Sequence, residues 1–206
     1  MKSQRKLAAL VREYARDLLR EPTDGTRRLR IFDFDDTLVL TDAKIWVTTG
    51  DGNRFSLTPG EFALYEKNPG EVMDFTEFSQ LINPRVIGWM GQILRMVYDR
   101  YSHKGSIILS ARTAPEPIVQ FLTSVGMSDI EVKALNNADP TIKAGWVDTW
   151  IRERELDHVE FFDDSHKNVA AVRQLRELHP NVNIVVRHVD HESGFVPTRL
   201  SKTTLK

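Results

Sequence analysis

The chain of 206 residues contains no cysteine, so disulfides and thiol nucleophiles are excluded. It also lacks an excess of either charge. Its 28 Lys and Arg oppose 29 Asp and Glu, so no global field draws it to nucleic acid or to an anionic membrane. No apolar run approaches the ~20 residues of a membrane span. There is no internal repeat and no low-complexity tract. A Gly-rich loop ending in Lys-Ser/Thr is absent, which excludes a kinase-type phosphate loop. The basic stretch Met1 to Lys6 is soon followed by Arg12, Glu13, Arg16 and Asp17, unlike a secretory leader. A cytoplasmic location is the expectation.

What the chain does have is a set of apolar runs that end on acids or hydroxyls. Leu29 to Phe34 reads as a buried strand, and it carries Asp33, Asp35 and Asp36 at its end. Carboxylates beside Ile and Phe are costly to bury unless something compensates them. A divalent cation with oxygen ligands is one such compensation, and Mg2+ suits one or two carboxylates plus a substrate phosphate. An Asx turn or a helix cap is the plainer reading of the same residues. Four further runs read as strands: Ser106 to Leu109, Ile130 to Ala134, Val159 to Phe162 and Val182 to Val189.

Helical spacing fills the intervals. Ser3 to Arg20 is amphipathic and is stopped by Glu21-Pro22-Thr23-Asp24-Gly25. Pro84 to Tyr101, Pro115 to Val125, Thr141 to Arg154 and Lys167 to His179 complete the set. Strands alternating with helices imply an α/β fold, a parallel sheet with helices on both faces. Ligands of such sheets sit at the carboxyl ends of the strands, where Asp33, Ser110 and Asp163 fall. Thr41 to Asn83 breaks the alternation. It holds three Gly-containing turns and the aromatics Trp46, Phe55, Phe62, Tyr65, Phe75 and Phe78. A structureless loop of that length is improbable. Two readings stand side by side: a lid over the site, or a peripheral hairpin packed by its own aromatics. The expected organisation is therefore an N-terminal helix (1–25), a catalytic domain (26–190) with a small insertion (41–83), and a flexible tail (191–206). Tail residues Arg199, Lys202 and Lys206 read as a solvated terminus.

The order of these pieces resembles the haloacid-dehalogenase (HAD) superfamily of phosphatases over about Arg30 to Val189. Asp33-Phe34-Asp35-Asp36-Thr37 matches its first motif, and Ser106 to Ser110 with Arg112 its second. Lys143, twenty residues before Asp163, fits the third, and Asp163-Asp164 the fourth. The resemblance implies a HAD-like Rossmannoid fold with an insertion after the first strand. It implies Asp33 as nucleophile, Asp35 as general acid/base, and Ser110 and Lys143 as catalytic partners. Thr37, Ser110, Arg112 and Lys143 would contact substrate, and Asp33, Asp35, Asp163 and Asp164 would hold Mg2+. Asp164 is the direct ligand in this reading, with Asp163 orienting Lys143. Lys133 is a rival to Lys143.

A narrower resemblance joins Ile82 to Arg112 to the phosphatase domain of phage polynucleotide kinase-phosphatases. Ala111 departs from the glycine usual there, and the insertion is longer. The expected partner is a phosphorylated substrate. A nucleic-acid 3′ end or a nucleotide leads, a small metabolite or a phosphotransfer reaction is the alternative, and a non-catalytic binding module is the third reading. Arg85, Arg95, Arg100 and Lys104 could join Arg112 in a basic pocket or be scattered surface charge. Gly50-Asp51-Gly52 lacks the distal Glu of a calcium loop and reads as a turn. The six histidines show no ligand spacing, and His188 to His191 reads as a strand end.

Overall fold

A computed structural model describes residues 2–21 and 27–196. The helix stop at Pro22 to Gly25 and the tail residues Arg199, Lys202 and Lys206 lie outside the described residues. In chain order the elements are α1 (Lys2–Arg20), β1 (Arg28–Phe32), β2 (Val39–Leu40), β3 (Ile45–Thr48), β4 (Arg54–Leu57), α2 (Pro59–Leu64), β5 (Val72–Asp74) and β6 (Arg85–Val86). They continue with α3 (Gly88–Tyr101), β7 (Ser106–Ser110), α4 (Glu116–Ser124), β8 (Glu131–Ala134), α5 (Pro140–Glu153), β9 (His158–Asp163), α6 (His166–Leu178), β10 (Asn183–Asp190) and β11 (Gly194–Phe195).

The central sheet has six strands in the order β11-β10-β9-β1-β7-β8. Five are parallel, and only β11 runs against its neighbour β10. Strand β1 lies in the middle and is buried on both sides, which is why its residues read as an unbroken apolar run. Alternate residues feed opposite layers. Phe32, Ile108 and Phe162 pack with Tyr14 of α1, Ile93 of α3 and Ile118 of α4. Ile31, Leu109 and Phe161 pack with Val147 of α5 and Val172 of α6 on the other face. The α/β expectation of a mostly parallel sheet between two helical layers is borne out. No helix among the described residues is long and apolar enough to cross a membrane.

The connectivity places the site. From β1 the chain moves outward through β7 and β8, then crosses back to β9 on the other flank. The carboxyl ends of β1, β7 and β9 therefore surround the crevice where the strand order reverses, the usual ligand position in open α/β sheets.

Two boundaries move from the sequence reading, and the insertion between them takes definite form. Helix α3 starts at Gly88, not Pro84, because Arg85 and Val86 pair with Leu40 and Val39 in a two-stranded ribbon. Thr41 to Asn83 hangs from that ribbon as a three-stranded antiparallel sheet, order β4-β3-β5, with α2 and a 3-10 turn at Thr76–Ser79. Its core is Ala43, Ile45 and Phe78, packed by Leu57, Phe62, Met73 and Ile82. The tail boundary also moves. Gly194 and Phe195 add a strand to the main sheet, and Phe195 packs edge-on against Trp89.

Gly50 to Asn53 is the β3–β4 turn, closed by Thr49 and Asn53 donating to the Asp51 carboxylate. Gly52 takes a positive φ of 88° there, a conformation glycine accepts without strain.

Candidate functional site

Sequence places acids at the ends of β1 and β9, and the parallel register brings them together. Asp33 follows β1, and its amide donates to the Phe162 carbonyl of β9 at 2.9 Å. Asp163 closes β9 and Asp164 follows it. Carboxylate oxygens of Asp33, Asp163 and Asp164 lie within 4.8 Å of one another. At an effective dielectric of ~20, two such charges repel by about 3.5 kcal/mol.

Lys143 supplies part of the compensation. It sits on the first turn of α5, which Asp139 caps by accepting from the Thr141 amide at 2.8 Å, with Pro140 opening the helix. Its ammonium donates to Asp33 Oδ1 and Asp163 Oδ2, both at 2.7 Å, and is 2% exposed. Burial disfavours the ammonium, but Asp163 and Asp33 outweigh it and hold the lysine charged. The rival Lys133 lies over the Trp146 ring instead, 3.7 Å from its centroid.

The three acids are held unequally. Asp163 is saturated: Oδ1 accepts from the Ser165 amide at 2.8 Å and from Asn168 at 3.0 Å, and Oδ2 accepts from Lys143 and again from Asn168. Burial pushes its carboxyl up to about 6, against the pull of Lys143. Asp164 has far less support. Among the described residues, the Thr37 hydroxyl is the group seen to reach its side chain, at 3.3 Å. Burial raises its carboxyl to about 9, with Asp33, Asp163 and Asp36 adding to the rise. Burial also raises Asp33, only partly countered by Lys143. Burial and the neighbouring acids both disfavour the charged form of Asp164. An all-oxygen set of this kind fits a hard divalent cation.

Two assignments from the sequence need correction. Asp35 does not belong to the carboxylate trio. Its two oxygens accept from Arg112 Nη2 at 2.8 Å and Nε at 2.9 Å. Thr37 does not face a substrate. It is fully buried, donating to Asp164 and accepting from the Asp164 amide at 3.0 Å, and so braces the acid loop from behind. Between them Asp36 turns the chain with a φ of 57°, a left-handed conformation that Asp tolerates.

Ser110 ends β7 with its oxygen accepting from the Arg112 amide at 3.2 Å, which leaves its hydroxyl hydrogen available. Above these groups lies a cavity of about 560 Å³. Asp33, Asp35, Ser110, Arg112, Lys143 and Asp164 line its floor, and Ile45, Phe62, Tyr65, Phe75 and Phe78 of the insertion line the other wall. Residues of Thr41 to Asn83 thus line the cavity opposite the acids, while the insertion is also packed by its own aromatics. Arg95 and Arg100 are turned to the carbonyls of Val125 and Glu21, and Arg85 pairs with Asp42. These arginines are scattered and do not form a basic pocket with Arg112.

Sequence reasoning missed three contributors. Asn168 clamps Asp163 from one turn into α6, a spacing of five that any polar residue could show. His188 Nε2 donates to the Asp164 carbonyl at 2.7 Å from a strand 24 residues away. Lys167 lines the cavity, and its place three residues after Asp164 was the available signal. Comparison with family models, curated proteins and solved structures returned no match.

Proposed function

We propose that this chain is a Mg2+-dependent phosphomonoester hydrolase that works through an aspartyl-phosphate, in the manner of the HAD-like phosphatases it resembles. The observation that carries the proposal is the buried Asp33–Lys143–Asp163 arrangement beside the undercompensated Asp164. Asp33 and Asp164 are the residues that would hold the metal, with Asp163 orienting Lys143. When bound, the metal supplies charge neutralisation for the carboxylates and the phosphoryl oxygens.

The remaining chemistry belongs to the side chains. Asp33 attacks phosphorus, forming an oxygen–phosphorus bond as the ester bond breaks. Asp35 carries into this step the proton it took from water in the previous turnover, on an oxygen that gives up one Arg112 contact, and passes it to the departing oxygen. Water then attacks the same phosphorus, its proton passes to Asp35, and Asp33 is released. Lys143 offsets charge at the nucleophile, and the Ser110 hydroxyl is placed to donate to a phosphoryl oxygen. Phosphoryl transfer demands mainly such positioning and neutralisation.

The aromatic wall bears on substrate. A flat leaving group gains about 1–3 kcal/mol from stacking on one such ring. This favours a nucleotide or a nucleic-acid 3′ end over an aliphatic metabolite. The test is phosphate release from a panel of 3′-phosphorylated oligonucleotides, nucleotides and sugar phosphates, with and without Mg2+. Metal-dependent release concentrated on the nucleotide compounds supports the proposal. No release from any member overturns the activity, and preference for sugar phosphates overturns the substrate class.

A further inference from the structure

Arg112 is 3% exposed, and it is occupied by protein groups. Nε and Nη2 hold the two oxygens of Asp35. Nη1 donates to the Phe78 carbonyl at 2.8 Å and to the Gln80 carbonyl at 3.0 Å. The guanidinium also lies 4.9 Å from the Phe78 ring centroid and 5.8 Å from that of Phe34. Four of its five N–H donors are thereby used. One rigid planar group thus joins three parts of the molecule: the end of β7, the loop after β1, and the backbone of the insertion.

A planar fork cannot turn toward one side without moving on the other. Its orientation on Asp35 is therefore set partly by the two insertion carbonyls, which lie at the far edge of the same plane. If the insertion lifts, Nη1 loses both acceptors and the guanidinium loses its stacking face. Asp35 then loses the partner that fixes both its oxygens.

We propose that Arg112 is a positioning residue that couples seating of the insertion to alignment of Asp35, rather than a direct ligand of the substrate phosphate. The proposal rests on the phosphatase reading, since it assigns Asp35 the proton transfer. It makes proton delivery conditional on closure. The acid is aligned only while residues 78–80 cover the site.

The consequence separates substrates by leaving group. An alkyl phosphate needs its departing oxygen protonated. A nitrophenyl phosphate, whose phenolate departs readily, needs this little. The test compares Arg112→Lys with the unmodified protein in the pre-steady-state burst of leaving-group release, which isolates the first displacement. Arg112→Lys keeps the charge and removes the bridge. The burst rate should fall by about 10²-fold or more for the alkyl ester, the usual worth of an aligned acid, and by less than about tenfold for the aryl ester. Inhibition by inorganic phosphate should stay within about threefold of the starting value, since no phosphate contact is removed. Equal losses on both esters, with phosphate inhibition weakened tenfold or more, would make Arg112 a phosphate ligand and overturn the proposal.

A second variant acts from a distance. Glu77 anchors the same 3-10 turn by accepting from the Lys44 amide at 2.8 Å and from the Trp46 indole at 2.7 Å. Glu77→Ala should reproduce the preference for the aryl ester, and uniform or absent loss would count against coupling. Amide hydrogen exchange gives a readout that needs no activity. In Arg112→Lys, amides of residues 76–82 should exchange at least tenfold faster while those of β1, β7 and β9 are unchanged. Unchanged exchange at 76–82 would overturn the proposal by itself. An unmodified protein with no burst on either ester would defeat the phosphatase reading, and the exchange result would still decide whether Arg112 holds the insertion down.

Discussion

Replacing Lys143 with methionine keeps the length and apolar stem of the side chain and removes only the charge. Asp33 and Asp163 each lose a hydrogen bond of 2.7 Å to a cation. Both acids are buried, Asp33 at 6% exposure and Asp163 at 0%, so water can replace the ammonium only in part. Leaving a buried charge without its partner costs about 3–5 kcal/mol, a large part of the about 5–15 kcal/mol that stabilises an ordinary domain. The loss must depend on pH. Without Lys143 the largest downward pull on the two carboxyls that burial already raises is gone, and they escape the penalty by taking up protons. Destabilisation should therefore be larger at pH 8 than at pH 5. Adding Asp163→Asn removes one of the stranded charges and should recover at least half of the loss at pH 8. Urea unfolding, followed by the fluorescence of buried Trp89 and Trp150, gives each value without reference to activity. A loss below about 1 kcal/mol at pH 8, or one equal at both pH values, would refute the claim that Lys143 is the principal counter-charge.

The unpaired acid makes a separate prediction. The Asp164 carboxyl is raised in the folded protein to about 9, so between about pH 6 and pH 9 the folded state keeps a proton that the unfolded state has released. Stability without metal should fall with rising pH across that window, with a slope of about 1.4 kcal/mol per unit for one proton. Asp164→Asn or saturating Mg2+ should flatten the slope in chemical unfolding, and a slope unchanged by both would be contrary. Asp35→Asn should slow turnover of alkyl phosphates by about 10²–10⁴-fold and, because it leaves the buried Arg112 guanidinium without its counter-charge, should also lower the unfolding midpoint. A near-normal rate would place the proton donor elsewhere.

The parts of the site that lie along the chain were legible in it. Ile31-Phe32-Asp33 and Phe161-Phe162-Asp163 are each a doubly buried strand that ends abruptly on charge, and a parallel sheet aligns such ends. Lys143 was legible through its spacing to Asp163 alone, and its place is fixed by the Asp139 cap and Pro140 that start α5. What could not be read depends on contacts between distant residues. Arg112 and Asp35 stand 77 positions apart, and nothing local says that the arginine fork turns to the acid. Thr37 shares its run with three acids, yet the turn at Asp36 sends it inward. The start of α3 was misplaced because Pro84-Arg85-Val86 suits a helix opening, whereas pairing with Val39 and Leu40 makes it a strand. Within the insertion, β3 and β5 meet across two intervening elements, so only the turns and aromatics were visible.

The central claim is that Asp33 becomes covalently phosphorylated. Turnover of a phosphomonoester with Mg2+ can be quenched in acid, which preserves an acyl phosphate, and the peptides resolved by mass spectrometry. The account predicts one added phosphoryl group on the peptide containing Asp33, and none in Asp33→Asn, which should also release no product. Product formation with the peptide unmodified, or full activity in Asp33→Asn, would contradict it.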